Sequence, residues 1–245
     1  MNPLKPEFAY LSGKLLSSRV YPEFFPLQKN EHVLNVGFGD GPQALVYDGN
    51  FQEMIGVEIQ TDRLERARHM LQSQGVERVR LVEGNVEQLP FESDTFDAVL
   101  AIDIVEHVQH PDIFLQELFR VLRPGGRMLI TFPAMHDHFE DAMSFVGRLL
   151  KPWKHRAQHH HEGPWHPDAH AHVHPIPVWK KRVEDTGFVF VKSRATTMFP
   201  PLHLYGISRF WFSIEWLHAL DRKIASSRIQ NLGQTVMAEF SKPLA

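Results

Sequence analysis

The chain has 245 residues, of which 43% are hydrophobic, and 26 Lys and Arg stand against 29 Asp and Glu for a formal net charge of -3 at pH 7. This length suits one α/β domain with insertions rather than two large domains, and the near-balanced charge supplies no global basic field for nucleic acid, so none is expected as a partner. There is no cysteine, which excludes disulfides, thiolate metal sites and cysteine nucleophiles and fits a reducing, cytoplasmic setting.

The opening Met-Asn-Pro-Leu-Lys-Pro-Glu lacks the apolar core of a secretory signal, and no run reaches the roughly 18 to 20 apolar residues of a spanning helix. A soluble protein is expected, with peripheral membrane contact left open. Residues 1–30, with Tyr10, Leu11, Leu15, Leu16, Tyr21, Phe24 and Phe25, read as an N-terminal cap over the segment that follows. A short strand, 32–36, then breaks into Gly37-Phe-Gly39-Asp-Gly41, and Pro42 opens a helical pattern. Glycines there permit positive φ and let a ligand approach the backbone, while the following helix start is expected to offer unpaired N–H groups. Glu58 ends the next strand, 53–58, about 20 residues after the first glycine, where doubly wound folds place a carboxylate for ribose hydroxyls.

The series continues with a helix over 61–74, for which Thr61 is the expected cap and Gly75 the stop. Strands 79–83 and 96–102, a helix over 112–122 with Ile113, Leu115, Leu118, Phe119 and Leu122, and a strand 127–132 follow. Strands rich in Val, Ile and Leu without strict alternation are those of a parallel sheet covered on both faces. Residues 133–175 form a His-rich stretch without periodicity, too long for an idle loop, since structureless connections beyond roughly 12 to 15 residues are uncommon. Regularity resumes with a helix near 176–186 and a strand 188–196. A second insertion, 198–230, precedes a last strand, 233–241. Within it Phe210, Trp211, Ile214 and Leu217 share one helical face while Phe212 and Trp216 lie on the other, so core packing stays open beside contact with a membrane, a second copy or an apolar substrate.

Val33 to Gly41, Gly56-Val-Glu58, Glu83-Gly-Asn85 with Leu89-Pro-Phe91, Phe96-Asp97-Ala-Val, Val105-Glu-His-Val108 and Arg120-Val-Leu-Arg-Pro-Gly-Gly126 together resemble the ordered motifs of class I S-adenosylmethionine-dependent methyltransferases, type 11 group. The resemblance covers residues 31–132, the expected cofactor-binding core, and more weakly the elements beyond. It implies a doubly wound, Rossmann-like, seven-stranded α/β sheet, mostly parallel with an antiparallel last strand, and two insertions. It implies S-adenosyl-L-methionine as cofactor, with Asn35, Gly37, Gly39 and Gly41 near its methionine part, Glu58 on the ribose diol, Asn85 and Val86 bordering the adenine, Asp103 at the reacting end, and Ile59 also among the cofactor-binding residues. Against a nicotinamide cofactor, the third glycine comes two residues after the second, where the dinucleotide fingerprint wants three.

Relatives carry acidic residues where this chain has Asn35 and Asn85. A neutral amide still accepts through its oxygen, and at 85 it can donate to an adenine ring nitrogen. Weaker cofactor binding rather than none is expected, and a non-catalytic scaffold on the same fold is the alternative function. The leading function is methyl transfer to a small-molecule or lipid-linked acceptor.

The cofactor supplies an activated methyl, so a base is needed only where the acceptor must lose a proton. His107, His136 and His138 are the catalytic candidates, by position after the fourth and fifth strands. His172, His174 and Trp211 are the substrate candidates. A metal-dependent enzyme is the least favoured reading: His155, His159, His160, His161, His166, His170, His172 and His174, with Glu162 and Asp168, match no defined ligand spacing, and Pro164 and Pro167 oppose a helix that would align them. No metal site is assigned.

Overall fold

A computed structural model describes residues 20–133, 172, 174–196, 223 and 235–244. Its strands are β1 (His32–Val36), β2 (Glu53–Glu58), β3 (Val79–Glu83), β4 (Phe96–Ala101), β5 (Leu122–Pro133), β6 (Val189–Thr196) and β7 (Thr235–Ser241). Between them lie helices α1 (Pro42–Val46), α2 (Thr61–Gln74), α3 (Pro111–Val121) and α4 (Ile176–Asp185). The strands form one seven-stranded sheet in the order β3-β2-β1-β4-β5-β7-β6. Pairings from β3 to β5 are parallel, and β7 runs antiparallel to both β5 and β6. The expected doubly wound sheet with an antiparallel last strand is therefore present.

Alternation along β1 explains the layering. Leu34 and Val36 face a core layer with Ile55, Val57, Val99 and Ala101, closed by Phe114, Leu115, Leu118 and Val121 of α3 and Trp179 and Val183 of α4. Val33 faces the other layer with Met54, Ala98, Phe38, Ala44, Leu45, Ala67, Met70 and Leu71, where Val20, Tyr21, Phe24, Phe25 and Leu27 also pack. Burying the sheet on both faces requires strands with no polar side, which is why they read as apolar runs. Tyr47 ties this second layer to residues 20–27, because its hydroxyl donates to the Phe25 carbonyl at 2.8 Å. Burial pushes that phenol's pKa upward and keeps it a donor.

Three local expectations are corrected. Thr61 does not cap α2: Gln60, extended at φ -95° and ψ 113°, is the capping position and Thr61 is the first helical residue. In α3 the buried residues are Pro111, Phe114, Leu115, Leu118 and Val121, and Ile113 is exposed. β5 begins at Leu122 rather than 127, since Leu122 pairs with Phe96 before a register shift brings Arg127 to Ala98. Gly125, at φ 76°, carries the chain through that shift. Here Lys242 closes the end of α3, its Nζ donating to the Phe119 carbonyl at 2.9 Å, the Leu122 carbonyl at 2.7 Å and Asp94 Oδ1 at 2.6 Å. A cation there satisfies carbonyls that a helix terminus leaves free.

Candidate functional site

The turn after β1 has all three glycines at positive φ, 66° at Gly37, 58° at Gly39 and 77° at Gly41. Their surroundings differ. A Cβ on Gly41 would stand 2.5 Å from Cε1 of Phe38, and one on Gly37 would stand 2.8 Å from Cδ1 of Ile104. These two glycines allow the turn to close against its own neighbours. At Gly39 the nearest atoms to such a Cβ are Arg63 Nη1 at 3.4 Å and the Gly37 carbonyl at 3.9 Å. Gly39 is thus the glycine of the turn where an added Cβ would meet only ordinary van der Waals contacts, so its backbone is the least crowded of the three although the residue itself is buried.

The expected supply of helix N–H groups is smaller than the pattern implied. α1 is five residues long with Pro42 at its first position, which brings no N–H, and the Ala44 N–H goes to the Gly41 carbonyl at 3.1 Å. The site's fixed charge comes instead from β2. Glu58 is only 5% exposed. Its Oε2 accepts from the Gly39 N–H at 2.9 Å, and its Oε1 accepts from the N–H of Ile59 at 2.9 Å and of Gln60 at 3.1 Å. Arg63 Nη1 stands 4.0 Å from Oε2. One carboxylate thereby locks the glycine turn to the loop after β2, and three N–H groups share its negative charge. A carboxylate has about four lone-pair sites, so one remains for a hydroxyl donor. Beside it Ile59 is 63% exposed, an apolar surface next to the acceptor.

The loop after β3 carries Asn85, which is exposed, and Val86, which is buried in the core. Asn85 Oδ1 accepts from the Glu87 N–H at 2.9 Å, so its oxygen is committed to the turn and its NH₂ faces outward as the available donor. Sequence reading missed Glu87. Its carboxylate accepts from the N–H of Gln109 at 2.6 Å and of His110 at 3.0 Å, and it meets His110 Nδ1 at 2.9 Å. The loops after β3 and β4 are clasped together in this way. Burial opposes ionisation of Glu87, but the bonds from His110 and Gln109 outweigh it and hold the carboxyl below its ordinary value of 4.5. A folded-state pKa below the unfolded one gives stability that is present above the ordinary value and lost as pH falls through the folded one. Glu87→Gln is therefore expected to be less stable than the wild type at neutral pH and indistinguishable from it in strong acid; a gap that persists at low pH would reject the clasp.

After β4, Asp103 adopts φ 51°, a left-handed conformation that costs a non-glycine residue about 1 to 3 kcal/mol and clusters at functional sites. Thr131 of β5 compensates: its hydroxyl accepts the Asp103 N–H at 2.8 Å and donates to Asp103 Oδ1 at 3.0 Å. The sequence signal for Thr131 is a single hydroxyl inside the apolar run Met128 to Phe132. Glu106 is buried, and His107 Nε2 lies 3.9 Å from its Oε1. His172 reaches the same loop, with Nε2 3.3 Å from the Gln109 carbonyl. The His174 ring instead packs edge-on against Trp179, 5.2 Å between centroids, anchored toward α4.

Of the expected site residues, Glu58 ends β2, and Gly37, Gly39, Gly41, Ile59, Asn85, Val86 and Asp103 follow the carboxyl ends of β1 to β4, on one edge of the sheet, where open α/β sheets bind ligands. His107 and His172 stand on the same edge. His136, His138 and Trp211 lie outside the described residues, as do most of the 133–175 stretch and nearly all of the 198–230 insertion. Among the described residues no group of three or more His, Cys, Asp or Glu is arranged to hold a metal ion.

Asn35 differs from the rest. It sits within β1, level with Gly56 and Leu100, is 1% exposed, and its Nδ2 has no hydrogen-bond partner. An unpaired buried donor costs about 1 to 3 kcal/mol. An orphaned donor beneath the turn, an uncrowded backbone at Gly39 and a carboxylate beside it fit a ligand that carries both a polar end and a ribose.

Comparison with known proteins agrees with this geometry. Residues 34–130 match the family described as "Methyltransferase domain", type 11. An uncharacterized methyltransferase of Bacillus subtilis, YcgJ, is 36% identical over 130 residues, covering 50% of this chain and 49% of its own length. The ubiquinone/menaquinone biosynthesis C-methyltransferase UbiE of Haemophilus ducreyi is 32% identical over 108 residues, 42% of each protein. The match thus spans about half the length, or less, of these curated relatives. The crystal structure of YcgJ superimposes with a TM-score of 0.57 at 19% identity, covering 96% of this chain and 99% of that one, which is a likeness of fold. By the matched core, the strand order and the glycine turn together, residues 34–130 are similar to the type 11 methyltransferase domain, and the sheet around them has the fold of known S-adenosylmethionine-dependent methyltransferases.

Proposed function

We propose that the protein transfers a methyl group from S-adenosylmethionine to a small-molecule or lipid-linked acceptor. The observation that carries this is the Glu58 clasp on Gly39, which holds a carboxylate and an uncrowded backbone side by side at the carboxyl edge of β1 and β2. When bound, the cofactor supplies an electrophilic methyl, so the chain's own work is to bind, orient and exclude water. Glu58 accepts from the ribose hydroxyls, Asn85 donates to the adenine edge and Ile59 covers the adenine face. Asp103, fixed by Thr131, presents its carboxylate at the end of β4 on the acceptor side.

Where the acceptor is a hydroxyl, a proton has to leave; in this reading His107 takes it, and the Glu106 carboxylate 3.9 Å away supports that role. His172, whose Nε2 lies 3.3 Å from the Gln109 carbonyl of the loop after β4, is the substrate-side residue of this reading. The acceptor class draws support from the name of UbiE, a C-methyltransferase of ubiquinone/menaquinone biosynthesis, and from the aromatic pattern of 198–230 in the sequence. Incubating the protein with methyl-labelled cofactor and fractionated cell extract tests the reading. Label in an organic-soluble or small-molecule fraction is the expected outcome; label confined to protein or nucleic acid, or no transfer beside demonstrable cofactor binding, would reject it.

A further inference from the structure

Gln109, two residues before the start of α3, is tied through its backbone to two other parts of the fold. Its N–H donates to Glu87 Oε1 at 2.6 Å, and its carbonyl accepts from His172 Nε2 at 3.3 Å. The next residue reinforces the first tie: the His110 N–H donates to a Glu87 oxygen at 3.0 Å, and the His110 ring meets the other at 2.9 Å. Glu87 is itself fixed from the cofactor side, because its N–H donates to Asn85 Oδ1 at 2.9 Å. A continuous hydrogen-bonded path therefore runs from the loop after β3, across the loop after β4, to His172.

α3 has no such anchor of its own. It opens at Pro111, which carries no N–H, and His110 at its capping position makes no side-chain capping bond. The Glu87 side chain is only 13% exposed, so the bonds it accepts are charge-assisted and largely shielded from water, which makes them the strong kind. His172 is moored on its other side as well. Two residues on, His174 packs edge-on against Trp179, and Trp179 stacks on Phe132 of β5 with 5.7 Å between centroids. With α4 and β5 holding that end, the Gln109 carbonyl is the contact that sets the His172 ring against the loop after β4.

We propose that Glu87 is a positioning residue that ties cofactor occupancy to the placement of His172. This rests on the cofactor reading above, with Asn85 at the adenine, and goes beyond it by linking the cofactor side of the site to the substrate side. An adenine that accepts from the Asn85 amide holds that side chain still, and with it the Oδ1 to which the Glu87 N–H is bonded. Glu87 then holds Gln109, and Gln109 holds His172. Order imposed by the cofactor does not have to be imposed again by the acceptor, so the first ligand favours the second, and by linkage the acceptor tightens the cofactor by the same factor. The acceptor meets a prepared site once the cofactor is in place.

The test follows the His172 ring by NMR in the full chain carrying isotope-labelled histidine, its signals assigned by their loss in His172→Gln, during titration with two probes. S-adenosylhomocysteine fills the whole cofactor site; adenosine brings adenine and ribose without the sulfur or the amino-acid end. In the wild type both probes at saturation are expected to shift the His172 signals alike. Glu87→Ala is expected to bind S-adenosylhomocysteine and lose the shift. Glu87→Gln, although less stable, is expected to keep it, because its amide oxygen still accepts from the Gln109 N–H while its NH₂ turns to the His110 ring. A shift with S-adenosylhomocysteine and none with adenosine overturns the relay, since the ring then senses the reacting end directly. So does a shift that survives in Glu87→Ala, or a His172 ring that stays unmoved while calorimetry shows S-adenosylhomocysteine bound; each of these leaves the cofactor site standing. The two probes decide in the wild type even where Glu87→Ala does not fold. A folded wild type that binds neither probe overturns the cofactor reading and the relay with it.

Discussion

Glu58→Ala is expected to weaken S-adenosylhomocysteine binding by at least about 100-fold, which is roughly 2.7 kcal/mol. Two losses combine. The ribose acceptor goes, and so does the partner that fixes the Gly39 N–H to β2 at 2.9 Å, so the cradle is no longer held in shape before the ligand arrives. Stability falls less, by about 1 to 3 kcal/mol, because the chief new penalty is the unpaired N–H of Gly39, whereas Ile59 is largely exposed and water reaches its loop. Glu58→Gln is not expected to rescue either property. An amide has one accepting oxygen, and turning it toward Gly39 sets its NH₂ against the N–H groups of Ile59 and Gln60. Unchanged affinity in Glu58→Ala, measured by titration calorimetry on folded protein, would show that the ribose lies elsewhere.

Gly41→Ala and Gly39→Ala are expected to fail in different ways. At Gly41 the new methyl meets the Phe38 ring, which already covers Gly56 and sits in the core layer, so the ring has no free direction in which to move. With the left-handed backbone at φ 77° added, the loss in stability is expected to be about 3 kcal/mol or more. At Gly39 the only side chain in reach among the described residues is the far end of Arg63, which swings aside, so the loss is closer to the roughly 1 to 2 kcal/mol of the left-handed backbone alone. The methyl there fills the cradle, and cofactor binding is expected to fall below detection. Denaturant midpoints and ligand titrations of both variants distinguish the two roles. A Gly39→Ala protein that binds the cofactor normally would remove Gly39 from the site.

How far such roles can be read without a structure depends on the kind of interaction. The succession of strands and helices and the edge that carries the site were legible because they follow from apolar runs buried on both faces and from where open α/β sheets bind ligands, whereas the antiparallel last strand was what the family resemblance implied. Gly37, Gly39 and Gly41 were legible as a turn, but not as three separate jobs, since Phe38, Ile104 and Arg63 reach them from different elements. Thr61 was misread as a cap because the helix starts one residue earlier than a threonine cap would place it: Gln60 is the extended capping residue, and Glu58 holds its N–H and that of Ile59. Glu87 left no sequence signal at all: its partners, the N–H groups of Gln109 and His110 and the His110 ring, lie more than 20 residues away. Asn35 was visible as a departure from the family pattern, and its lone Nδ2 gives that departure a physical meaning which the substitution of one letter does not carry.

S-adenosylmethionine binding at the glycine turn is the claim on which the rest depends, and titration calorimetry of the cofactor into the full chain tests it most directly. One site per chain, with binding lost in Gly39→Ala while the fold persists, is the expected result. No heat of binding at high micromolar cofactor, from protein shown to be folded and with S-adenosylhomocysteine equally silent, would contradict it.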